Sequence, residues 1–197
     1  MKLTRNWMRV ALMAVVATAA FSCSNEFTRS SSPVLLIVTN SQDIQGIDLA
    51  GNGDSGNTNC DQDVGTISVE ARLKNPDLNV DQRFNDVRIT RYRVSYRRID
   101  GGTAVPAPFV RPIDMLLTAG GGSQSLTKFV ILTREAILQA PFISLLPNNG
   151  GIDPETGRRV VRMEVVVELF GETLAGTNVS GSTSFPLDFC YSCGGCA

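Results

Sequence analysis

Cys60, Cys190, Cys193 and Cys196 are the side chains in this sequence whose type and spacing could carry chemistry. The last three form a C-x-x-C-x-x-C run, and the fourth lies far upstream. Four thiols of this kind have three uses. Two disulfides would tie Cys60 to the C-terminal run and close a second bridge within it, with three connectivities that spacing does not separate. Loop closure between Cys60 and Cys190 spans about 130 residues and would stabilise the fold by about 4 to 5 kcal/mol. Four thiolates also satisfy the ligand count of a zinc or iron–sulfur site. One C-x-x-C pair could instead exchange with other disulfides, although no βαβ pattern or helix N-terminus accompanies it to lower a thiol pKa.

Two other groups of polar residues deserve the same question. Asn57, Asn59, Asp61 and Asp63 alternate as calcium ligands do, but Val64 stands where an EF-hand loop needs glycine and no bidentate glutamate follows. A solvated loop is the competing reading. Arg91, Arg93 and Arg97, with Arg98 beside them, offer a face for an anionic glycan or lipid head group, against the plainer expectation of charges solvated on a sheet. The chain has no histidine, which excludes imidazole-assisted serine or cysteine catalysis and His-ligated metals. No spacing of Asp and Glu marks a catalytic pair, so the sequence predicts neither an enzyme nor a cofactor.

The compartment decides among the cysteine readings. Residues 1–22 begin with Lys2, Arg5 and Arg9, continue through an apolar run over 10–21 that is too short to span a bilayer, and end at Ser22 before Cys23. This is the layout of a cleaved export signal. Ala20, Phe21, Ser22 and Cys23 resemble the lipobox of bacterial lipoproteins, and the resemblance implies that Cys23 is acylated and becomes the N-terminus. Ordinary signal-peptidase cleavage near Ala20 is the alternative. In a bacterium with two membranes, Ser24 after the acylated cysteine implies the outer membrane. Export favours the disulfide reading, because exported thiols are oxidised. Losing residues 1–22 leaves 15 of 18 basic residues against 19 acidic ones, a net of −4, which argues against a nucleic-acid partner. The only tryptophan, Trp7, leaves with the signal.

The elements that must position these residues read as strands. Residues 87–99 alternate, with Tyr92, Val94 and Tyr96 on one face and Arg91, Arg93, Ser95 and Arg97 on the other. Val87 and Ile89 carry the apolar face upstream, so the phase slips near Thr90 or Arg91, as a β-bulge would make it. Residues 34–39, 66–74, 126–133, 160–170 and 178–189 give five more strands. Pro106, Pro108 and Pro112 leave room only for a short or irregular edge element before 115–117. Gly171 is expected to end its strand, and Pro186 to restrict the last strand to an edge. Residues 134–139 read as one or two helical turns, while 40–63 and 148–157 read as loops, the second mobile.

Seven short strands joined by turns predict an all-β, single-domain, two-sheet sandwich over 34–189, with a signal at 1–22, a tether at 23–33 and a cysteine-rich tail at 190–197. The run YRVSYR at 92–97 resembles the third strand of fibronectin type III modules, which implies an immunoglobulin-like architecture. In that topology the third and sixth strands are antiparallel neighbours, so Arg93 and Arg97 would meet Glu164 and Glu168, and Cys60 would lie at the same pole as Cys190. The function expected is a lipid-anchored, non-enzymatic binding or structural module of the cell envelope, attached to the bilayer and engaging an envelope protein or glycan. The alternative is a redox or metal protein built on Cys60 and the C-terminal cysteines.

Overall fold

The computed structural model describes residues 32–40, 46–50, 62–75 and 82–191, excepting the side chains of 62–65, 82 and 128. They form an all-β protein of two sheets. The strands are β1 (Val34–Asn40), β2 (Gly46–Asp48), β3 (Gln62–Leu73), β4 (Val87–Arg98), β5 (Phe109–Leu117), β6 (Gly122–Leu132), β7 (Val160–Thr173) and β8 (Asn178–Cys190). One helical turn, α1 (Arg134–Ile137), follows β6. The first sheet has the order β1-β3-β6; the second, curled into a half-barrel, has the order β2-β8-β7-β4-β5. All pairings are antiparallel except that of β2 with β8.

The described residues thus contain eight strands where the sequence predicts seven. The extra one, β2, lies in a stretch whose composition reads as loop. Its three residues are held by parallel pairing to Asp188, Phe189 and Cys190, a long-range contact with no local pattern. Likewise β3 begins at Gln62 rather than Thr66, which puts the backbone of Asp63 in a strand opposite Val130.

The phase slip in β4 is a bulge. Ile89 faces Gly171 on β7 and Arg91 faces Phe170, so Thr90 is the extra residue. The bulge lets Val87 and Ile89 before it, and Tyr92 and Val94 after it, all point into the core. Gly171 does not end β7, which runs on to Thr173. It sits at the bulge, where a Cβ would collide with the Arg88 carbonyl and come within 2.9 Å of Ile89 Cα. The same irregularity explains β5. Its nine residues are longer than the prolines suggested, because Pro112 lies opposite Arg91, where the ladder is already broken, and β5 is the outer strand. Pro186 is tolerated differently from expectation. β8 is flanked by β2 only over Asp188–Cys190, so Pro186 lies beyond that pairing.

Inward residues of both sheets form one core, with Val161, Met163, Val165, Val167 and Leu169 of β7 along its middle. Tyr92 meets Phe129 edge-to-face at 6.2 Å between ring centres. Tyr92 and Tyr96 donate to the carbonyls of Val130 and Ile131 at 3.2 and 2.5 Å, pinning the sheets together. Burial pushes the Tyr96 phenol pKa upward. The strand ends define two poles. One gathers the start of β1, the end of β3 and the 118–121 and 174–177 turns, joined by Lys74 N–H to Pro33 O and Ala119 N–H to Asp86. The other gathers the start of β3 and the ends of β4, β6 and β8, about 35 Å away by the rise of β4.

Candidate functional site

Alternation along β4 runs Tyr92, Val94, Tyr96 and then Arg98, so the strand's last inward position carries a guanidinium. Its side chain is 2% exposed. Arg98 Nε donates to Asp100 Oδ1 at 2.7 Å, and Nη2 donates to Asp100 Oδ2 at 2.9 Å and to Asp153 Oδ2 at 2.7 Å. Nη1 donates to the Ala104 carbonyl at 3.4 Å and lies 3.7 Å from Glu155 Oε2. The carboxylates in turn hold the backbone. Asp100 accepts from the N–H groups of Gly102 and Arg162. Asp153 accepts from the Thr156 N–H and hydroxyl. Glu155 accepts from the Thr103 N–H and hydroxyl and from the Ala104 N–H. The result is a latch between the 99–108 and 146–159 loops.

Two buried carboxylates and the part-exposed Glu155 surround a single cation. Burial alone would raise the Asp100 carboxyl pKa, but Arg98 and the two backbone donors outweigh it and hold it to about 2. Burial opposes the ionised Asp153 too, and Arg98 and Thr156 overcome it. Glu155 is held to about 2 by the Ala104 N–H, then by Thr103. Burial would lower the Arg98 pKa, yet its carboxylate partners leave it raised. Asp153 Oδ1 has no hydrogen-bond partner among the described residues. Gly102 completes the latch, since any Cβ there would overlap the Arg98 guanidinium.

The latched loop borders a cavity of about 280 Å³ at the same pole, lined by Leu145, Pro147, Gly150, Gly151, Arg159 and Tyr191. Its floor is set by the core: Leu145 is buried, and Phe142 packs on Phe189 of β8 at 4.9 Å. Tyr191 directly follows Cys190.

The residues singled out in the sequence fall in different places. Cys190 ends β8 at the latch pole, is 2% exposed, and its sulfur lies 3.8 Å from the Ile47 carbonyl oxygen. Cys23, Cys60, Cys193, Cys196, Asn57, Asn59 and Asp61 lie outside the described residues, and Asp63 is described in its backbone alone. The arginine face is taken up by its own neighbours. Arg93 and Arg97 pair with Glu168 and Glu164 across β4 and β7 as the topology predicts, with Nε to Oε2 distances of 2.6 and 2.9 Å. Arg91 lies over the Phe170 ring at 5.2 Å. Arg98 belongs to the inward phase and not to this face. The 148–157 stretch, expected to be a mobile loop, is joined to the end of β4 by the Arg98–Asp153 bond.

The latch was missed in the sequence, although one signal existed: Arg98 continues the phase of Tyr92, Val94 and Tyr96, with an acid two residues later. Among the described residues no three Asp, Glu or Cys side chains are arranged to hold a metal, and no helix is long and apolar enough to cross a membrane. Compared with known proteins, the chain matches no family model, no curated protein and no solved structure.

Proposed function

We propose that the chain is an exported, lipid-anchored protein of the cell envelope, whose domain is an immunoglobulin-like sandwich acting as a non-enzymatic binding or structural module. The strand orders β1-β3-β6 and β8-β7-β4-β5 support the immunoglobulin-like reading, being those of the A-B-E and G-F-C-C′ strands of that architecture. The long 133–159 connection is a departure from the compact form.

One observation carries the functional reading: the polarity of the domain. The chain enters β1 at the pole opposite the Arg98 latch. With Cys23 acylated, the chain would be tied to the bilayer through its β1 end, the end of the domain opposite the latched loops and their cavity. A module that presents a rigid pair of loops at its far end is built to meet a partner there. The cysteines fit the same reading as staples. β3 starts two residues after Cys60 at the pole where β8 ends, which supports a bridge from Cys60 to the C-terminal run.

Metabolic labelling with an alkyne fatty acid tests the anchor. Label is expected on the native chain and absent from Cys23→Ala; equal labelling, or none, overturns the lipoprotein reading. Intact mass before and after reduction, with metal analysis, tests the cysteines. A gain of about four mass units without metal means two disulfides. Free thiols with stoichiometric zinc or iron would replace the module by the metal-protein alternative.

A further inference from the structure

We propose that the cavity beside the latch binds a carboxylate carried on a six-membered ring, as in a hexuronic acid or an aromatic acid. This deepens the binding-module reading and rests on it. The argument starts from how the arginines are used. Arg72, Arg88, Arg93, Arg97, Arg98 and Arg162 each face a carboxylate of this chain. Arg159 pairs with no carboxylate among the described residues, and it borders the cavity. A guanidinium is a planar fork matched to two carboxylate oxygens, so an unpaired one beside a cavity selects that group.

The rest of the lining suits a ring. Tyr191, Leu145 and Pro147 give an apolar wall with one phenolic tip, the mixture that small-ligand sites use to hold a flat body and orient its polar edge. About 280 Å³ is enough space for one substituted ring. Gly150 and Gly151 have φ of 107° and 71°, so side chains there would be strained, and the wall they form stays low. Their N–H groups already donate to the Pro147 and Leu146 carbonyls, which leaves polar recognition to Arg159 and Tyr191.

The latch makes the site ready before a ligand arrives. Asp153 lies between Gly150 and Arg159 in the chain, and its backbone bonds to Arg158 O and from Gly157 N–H close the loop at 2.7 and 2.8 Å. A loop already ordered loses less entropy on binding.

The test is an amide chemical-shift titration of the full-length chain in detergent, following Gly150 and Gly151, with glucuronate, benzoate, glucose and inorganic phosphate. Saturable shifts with glucuronate, benzoate or both, and none with glucose or phosphate, are expected. Glucuronate alone points to an acidic glycan as the source and benzoate alone to an aromatic acid. Arg159→Gln should weaken binding about tenfold or more, while Arg158→Gln leaves it unchanged. Both side chains are exposed, and spectral dispersion reports whether each variant is folded. No saturable shift with either acid, equal saturation by glucose or phosphate, or native binding by Arg159→Gln overturns the proposal. Fatty-acid labelling of Cys23 on the same protein separates the two readings: a labelled chain that binds neither acid removes the pocket and keeps the anchored module.

Discussion

Arg98 donates to Asp153 at 2.7 Å across 55 positions of sequence, and the two side chains are 2% and 1% exposed. An ion pair shielded from solvent at the end of the sandwich is held by what surrounds it. Removing Arg98 leaves two buried carboxylates uncompensated, which costs about 3 to 5 kcal/mol, whereas removing Asp153 leaves Arg98 paired with Asp100 and costs the hydrogen bonds to Arg98 and Thr156. Urea denaturation should therefore find Asp153→Ala destabilising. Arg98→Met should be worse, since it strands both Asp100 and Asp153. The Arg98→Met, Asp153→Leu double variant should lose less than the sum of the single losses. Single losses below about 1 kcal/mol would mean that the latch is ordinary surface charge.

The same cluster sets the acid limit of stability. The fold holds the Asp100 carboxyl pKa down to about 2 from an ordinary 3.8, and Glu155 is held down to about 2 as well. A depressed carboxyl pKa means that the unfolded chain takes up protons first as the solution is acidified. The stabilisation is thus complete above about pH 5 and is lost as pH falls through 4 toward 2. For the buried Asp100 the amount is about 2 kcal/mol. Denaturation midpoints measured across that window should fall steeply in the native chain and less in Asp100→Asn. Equal slopes would remove Asp100 from the account.

On the outer face of the five-stranded sheet, Arg93 with Glu168 and Arg97 with Glu164 are half-exposed, and Ser184 also donates to Glu164. Such pairs contribute about 0.2 to 1 kcal/mol each and weaken with salt. Reversing Arg93→Glu alone sets it against Glu168, and adding Glu168→Arg should restore most of the loss at low ionic strength. Pairing Arg93→Glu with Glu164→Arg should not, because the register places Glu164 opposite Arg97.

These pairs show what a sequence of this kind can reveal. Period-two alternation in β3, β4 and β7 is a local pattern, and it correctly separates Ile67, Val69, Tyr92, Val94 and Met163 from their outward neighbours. The bulge was legible too, because one extra residue flips the phase on a single strand. What stayed hidden depends on contacts far apart in sequence. Three residues of β2 become a strand only through Cys190 and its neighbours, and Asp153, inside a glycine-rich turn, is buried only because β4 delivers a guanidinium to it. The cavity was equally illegible, since Tyr191 and Arg159 come together through the pairing of β7 with β8.

Gly171 is the sharpest case of a residue whose meaning changed with the register. In sequence it looks like a strand terminator, the same role that Gly176 has in the turn after β7, where φ is 82° and a side chain would meet open space. At Gly171 the backbone conformation is ordinary, and the obstruction is the neighbouring strand: Arg88 O and Ile89 Cα occupy the space of a Cβ. An alanine there must push β4 from β7 where Thr90 already interrupts the ladder, which should cost about 2 to 3 kcal/mol. Alanine at Gly176 meets only left-handed strain, about 1 kcal/mol. Hydrogen exchange should further separate the two. Gly171→Ala is expected to speed exchange along both strands around the bulge, and Gly176→Ala only in the turn. If Gly171→Ala were the milder of the two, the close approach of β4 and β7 at the bulge would not be what requires glycine.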